Sequence, residues 1–183
     1  MIAPVDRPPL TLRVSVTDRC QLRCQYCMPP EGVPACLHED VLTFEEIGAF
    51  VEHLQKSFDI RKVRLTGGDP LVRKGIVDLV ALLAGLGIPD LAMTTNAQRL
   101  SALADDLAAA GLDRVNISLD SLRADTFQHI TFREGVESTI AGIDAALHAD
   151  LRPVKLNMVV MRGINDQEVC DVLSFALERG CEL

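Results

Sequence analysis

Short β-branched runs alternate along the chain with longer segments in which apolar residues recur three and four apart. Residues 12–17, 62–66, 91–95, 114–119 and 154–160 read as strands. The apolar bias at 63–65 and 159–160 is that of parallel strands covered on both faces. Ile47, Phe50, Val51, Leu54 and Phe58 form the cleanest helical stripe, with Thr43 ahead of Glu45 and Glu46 as a start signal. Further helices are predicted over 76–86, 102–110, 136–149 and 167–179. Gly87, Gly111 and Gly180 stand where a left-handed cap would close three of them.

Strand–helix alternation implies right-handed βαβ units and a parallel sheet. Five units are visible, whereas a closed eight-unit barrel takes ~250 residues, so 183 residues form at most an incomplete parallel (β/α) barrel. Gly180 looks like a helix cap, and Cys181-Glu182-Leu183 begins what reads as a sixth strand. An uncovered last strand exposes unpaired backbone groups. Residues 1–183 are therefore expected to be one domain that is incomplete as a functional unit. Its edge would be covered by more chain, by a homodimer or by a missing C-terminal partner.

Composition narrows the class. Apolar residues make up 48% and charged residues 24%, which excludes global disorder. No apolar run reaches the ~18–20 residues of a membrane span, and the N-terminus lacks signal architecture, so a cytoplasmic protein with no membrane partner is expected. Net charge is −8, which argues against nucleic acid as a partner. The deficit is uneven: ten basic and ten acidic residues up to position 75, eight and sixteen beyond it. An anionic ligand is better received in the first part.

Six cysteines without an export signal suit metal or catalysis better than disulfides. Cys20, Cys24 and Cys27 form a C-x3-C-x2-C run directly after the first strand (CQLRCQYC). Three thiolates on one loop can hold an iron–sulfur cube with one iron left open. The competing reading is structural zinc with Cys36 as fourth ligand, although such sites usually pair two C-x2-C knuckles.

This run, with Tyr26 before its third cysteine, resembles the radical S-adenosylmethionine superfamily. The resemblance implies an open iron that chelates S-adenosylmethionine, and an electron that cleaves the sulfonium to a 5′-deoxyadenosyl radical. Thr66-Gly67-Gly68-Asp69-Pro70 after the second strand is similar to the superfamily's Gly-Gly-Glu-Pro motif, which receives the cofactor's amino group. Asp69 is one methylene shorter than the usual glutamate.

The resemblance narrows to the GTP 3′,8-cyclase family of molybdenum cofactor biosynthesis (molybdenum cofactor biosynthesis protein A). It is carried by 12–29 (LRVSVTDRCQLRCQYCMP), 63–73 (VRLTGGDPLVR), 94–96 (TTN), 114–122 (RVNISLDSL) and 153–166 (PVKLNMVVMRGIND), with Ala97 where the family has glycine. It implies that Cys20, Cys24 and Cys27 ligate a [4Fe-4S] cluster. Tyr26, Gly68, Ser118 and, less directly, Asp69 would contact S-adenosylmethionine. Arg13, Arg64, Thr94 and Lys155 would face GTP, with the three cations on different strands aimed at the triphosphate. The implied reaction removes hydrogen from ribose C3′ and closes C3′ onto guanine C8. It calls for a low-potential electron donor and, downstream, cyclic pyranopterin monophosphate synthase.

His38, His53, His129 and His148 lack metal-site spacing, and Cys170 on its helical stripe reads as core. Asn165 or Asp166 reads as a helix cap. Family members are much longer, with a second [4Fe-4S] cluster that Cys36, Cys170 and Cys181 cannot replace. The chain alone is therefore not expected to cyclise GTP. Two other readings stay open: a minimal or different radical enzyme completed by a partner chain, and a non-catalytic iron–sulfur or zinc-binding remnant.

Overall fold

A computed structural model describes residues 7–34, 36–37 and 40–183; His38 lies outside them. Parallel strands β1 (Pro9–Ser15), β2 (Asp59–Thr66), β3 (Leu91–Thr95), β4 (Arg114–Ser118) and β5 (Lys155–Asn157) lie side by side in chain order. Each crossover thus advances one strand in the same direction, as in a β/α barrel, and the sheet is an open arc of one. The crossovers carry α1 (Phe44–Gln55), α2 (Ile76–Gly85), α3 (Ala104–Ala109), and the pair α4 (Ala124–Thr131) and α5 (Val136–His148). The helix α6 (Val169–Glu178) follows β5. Glu182 then bridges in parallel to Lys155, donating its N–H to the Val154 carbonyl (3.0 Å) and accepting that of Leu156 (2.7 Å). This single bridge stands where the sequence reads as a sixth strand.

The start of α1 is fixed as its sequence suggests. The Thr43 hydroxyl accepts the Glu46 N–H at 3.1 Å, and the Glu46 carboxylate accepts the Thr43 N–H at 2.7 Å. Ile47 and Val51 are buried, but Phe50 is 55% exposed and falls outside the stripe. Gly87, Gly111 and Gly180 have φ of 71°, 98° and 68°, the left-handed caps expected of them.

The strands differ from expectation in how they are covered. Val63, Leu65, Leu91, Met93, Val115, Ile117 and Leu156 are buried, and pleat alternation sends Arg13, Arg64, Thr94, Arg114, Asn116, Ser118 and Lys155 to the opposite face. Among the described residues the helices pack on the apolar face, and the concave face is mostly polar, with Ala92 between Arg64 and Arg114. Val159 and Val160 are exposed and outside the sheet, which ends at Asn157. The helix α4 was not signalled: it is short, buries Phe127 and Ile130 but is otherwise largely polar, and begins at Arg123 without a side-chain cap. Cys170 is exposed, not core, because it lies on the solvent side of α6. His53, His129 and His148 are exposed. No helix among the described residues is long and apolar enough to cross a membrane.

Candidate functional site

The cysteine loop leaves β1 at the carboxyl end of the sheet and is clamped from two sides. On one side the Gly68 N–H donates to the Thr17 carbonyl (2.7 Å) and the Asp69 N–H to the Arg19 carbonyl (2.8 Å). A Cβ on Gly67 would stand 2.4 Å from the Thr17 oxygen, and one on Gly68 2.2 Å from that of Arg19. Both glycines are therefore required by the close approach of two backbones. On the other side the N–H groups of Arg23 and Gln25 donate to the carbonyls of Thr131 and Ile130, each at 2.9 Å. These are last-turn carbonyls of α4, which lack helical partners of their own. The unsignalled helix thus carries the rear of the loop.

Cys20 and Cys24 are half-buried and Cys27 is exposed; all three are free thiols. Burial pushes the Cys20 thiol up, and the Asp69 carboxylate adds to the shift. Burial, followed by the Asp120 carboxylate, raises Cys24 to about 11. Cys20 and Cys24 are thus held in the thiol form, and a metal bound there would displace their protons. Among the described residues no three His, Cys, Asp or Glu side chains are grouped to hold a single metal ion. Cys36, the fourth ligand of the zinc reading, is exposed, and its N–H donates to the Asp18 carboxylate at 2.6 Å. Three soft sulfur donors spread over one clamped loop fit a polynuclear iron–sulfur group.

Long-range polar contacts absent from the sequence reading tie this loop to three strand ends. Asp69 is fully buried, and burial pushes its carboxyl up. It accepts from the Leu71 N–H (3.0 Å), the Thr95 hydroxyl (2.7 Å) and the Asn96 N–H (2.7 Å). With both oxygens engaged, Asp69 joins the ends of β2 and β3 and offers no open face to a ligand. The Tyr26 hydroxyl donates to Asp120 at 2.6 Å, and the other Asp120 oxygen accepts the Val159 N–H at 2.8 Å. Asn165 stands at the N-cap position of a 3-10 turn over Asp166–Glu168, as expected, but its side chain makes no cap bond there. Its amide donates to the carbonyls of Asp120 (2.7 Å) and Val159 (3.0 Å), and its oxygen accepts the Met161 N–H (2.7 Å). Asp120 and Asn165 thus capture the backbone groups that would otherwise extend β5.

On the polar face Arg13 lies directly opposite Arg64 in register, and Thr94, Asn116 and Lys155 form a neighbouring row. Ser118 is opposite Asn157 near the carboxyl ends. Among the described residues neither Arg13 nor Arg64 makes an ion pair, and the Arg64 Nε is buried without a partner. Lys155 is paired with Glu182. Like charges at paired positions on neighbouring strands disfavour each other, and among the described residues no acid offsets the pair of Arg13 and Arg64.

Residues 14–176 match the model of the Radical SAM superfamily. The GTP 3′,8-cyclase of Heliobacterium modesticaldum is 54% identical over 168 residues, 91% of this chain and 51% of that protein. The GTP 3′,8-cyclase of Geobacter sulfurreducens is 50% identical over 171 residues, 93% of this chain and 52% of its own length. The chain thus spans about half the length of the curated relatives it matches. In fold it is similar to Streptococcus suis SuiB bound to S-adenosylmethionine, with a TM-score of 0.77 at 18% identity, over 95% of this chain and 39% of that one. Because the matched segment takes in the cysteine loop and most of the sheet, the chain belongs to the Radical SAM superfamily.

Proposed function

We propose that Cys20, Cys24 and Cys27 hold a [4Fe-4S] cluster with one iron open to S-adenosylmethionine, and that the polar face receives GTP for the cyclisation its relatives are named for. The superfamily implies the cluster and the cofactor. When bound, the cluster supplies the electron that cleaves the sulfonium. Around it, Tyr26, Gly68 and Ser118 are the positions for S-adenosylmethionine. Asp120 holds the Tyr26 ring by its hydroxyl. Asp69 acts through the loop it ties, not by touching the cofactor.

The observation that carries the GTP assignment is the opposed pair Arg13 and Arg64, with no ion pair to either among the described residues. A polyphosphate between them relieves their repulsion and accepts charge-assisted hydrogen bonds from the two guanidinium groups. Lys155 joins when the phosphate displaces Glu182, and Thr94 supplies a hydroxyl from the same face. The work of these residues is positioning: with the phosphates fixed, the ribose is held toward the cysteine loop. The same reading calls for a low-potential electron donor, with cyclic pyranopterin monophosphate synthase acting on the product.

The test is anaerobic reconstitution with iron and sulfide, followed by dithionite, S-adenosylmethionine and GTP. Cleavage to 5′-deoxyadenosine and calorimetric GTP binding are expected, without cyclised product from this chain alone. A protein that binds neither S-adenosylmethionine nor GTP overturns the proposal.

A further inference from the structure

We propose that Asn96 raises the reduction potential of the cluster through an N–H···S hydrogen bond to Cys20, acting as a positioning and tuning residue; this rests on the cluster reading above. Asn96 follows β3, 76 positions from Cys20, and its Nδ2 stands 3.5 Å from the Cys20 sulfur. Which end of the amide faces the sulfur is decided by its other contacts. The Gln98 backbone N–H, which can only donate, points at Asn96 Oδ1 at 3.0 Å, and Gln21 Nε2 approaches the same oxygen at 3.1 Å. The remaining end must be the NH2 group.

The amide is also held in advance. The Asn96 N–H donates to Asp69 at 2.7 Å, and its carbonyl accepts the Thr139 hydroxyl at 3.0 Å. Asn96 is 8% exposed, so little water competes for the donor. Tyr26 stands beside Cys24, but its single hydroxyl proton is committed to Asp120. Reduction adds negative charge to a cluster and its sulfurs, so a fixed N–H dipole stabilises the reduced state more than the oxidised one. The buried, fully used Asp69 gains a reason here, since it anchors the backbone that presents this donor.

The experiment is a mediator-buffered dithionite titration of the anaerobically reconstituted chain, followed by electron paramagnetic resonance, with iron and sulfide content measured in parallel. One electron enters each cluster as dithionite is oxidised to sulfite. Asn96→Asp keeps the acceptor for Gln98 and Gln21, removes the donor and adds a negative charge. It is expected to lower the reduced-to-oxidised ratio at fixed potential by about tenfold or more, a shift of about 59 mV or more to the negative for one electron. Asn96→Ala is expected to shift in the same direction by less. Gln98→Ala, which loses contacts to the Gly135 carbonyl and the Thr139 hydroxyl while keeping the donor, is expected to leave the potential unchanged. Iron-replete Asn96 variants with an unshifted potential overturn the inference and leave the cluster reading intact. Loss of iron from both variants makes Asn96 a support of the loop and overturns it equally. Wild-type protein without iron instead refutes the cluster reading.

Discussion

Two sets of cations share the concave face of this sheet and are treated in opposite ways. Near the amino ends of the strands, Lys62 and Arg114 converge on Asp90: Lys62 at 2.9 Å, Arg114 through two bonds of 2.9 and 3.0 Å. Partial burial pushes the Asp90 carboxyl up, but the hydrogen bonds from Arg114 and Lys62 outweigh it and hold the group below its ordinary range. Farther along the strands, Arg13 and Arg64 oppose each other, and among the described residues neither makes an ion pair. The neutralised set closes the floor of the half-barrel and belongs to the fold. The set left unneutralised is the one proposed above to meet the triphosphate.

That contrast can be broken by charge reversal. Arg13→Glu gives Arg64 an internal partner, so GTP affinity is expected to fall more than 100-fold while the urea midpoint holds or rises. Calorimetry and unfolding of the same preparation read both quantities. Arg64→Ala removes one charge-assisted contact, and affinity is expected to drop about 10–100-fold, with stability little changed. Arg114→Ala should do the converse. It leaves Asp90 half-satisfied, so about 1–3 kcal/mol of stability is expected to be lost with GTP affinity within about twofold of wild type. A large affinity loss in Arg114→Ala would dissolve the distinction between the two sets.

The smallest effect is a pH dependence. Because Asp90 is depressed in the folded protein, its stabilisation is complete above the unfolded carboxylate value of about 3.9 and is lost as pH falls through the lower folded value. The stability gap between wild type and Asp90→Asn is therefore expected to be full near neutrality and to shrink below about pH 4. Urea midpoints compared at neutral pH and at pH 3 check it; a gap that grows on acidification contradicts the assignment.

What the sequence revealed was local. The cysteine spacing, the two glycines, the helix start at Thr43 and the strand–helix alternation are each written within a few residues, and each appears in the structure. The contacts that organise the site are not local. Asn96 meets Cys20 across 76 residues and Tyr26 meets Asp120 across 94, and a buried amide or carboxylate carries no mark of its partner. The Asp69 carboxylate was legible as a motif position, but its full burial was not. The helix α4 was hidden by a largely polar sequence, and the early end of β5 by Asp120 and Asn165, whose backbone contacts override the propensity of Val159 and Val160.

The most direct test of the account is the metal bound at the cysteine loop. Anaerobically reconstituted protein is expected to carry about four irons and four sulfides per chain. After dithionite reduction it should give an electron paramagnetic resonance signal whose shape changes when S-adenosylmethionine is added, and Cys20→Ala, Cys24→Ala and Cys27→Ala should each abolish it. Zinc in place of iron, or a cluster that survives loss of these cysteines, would contradict the account.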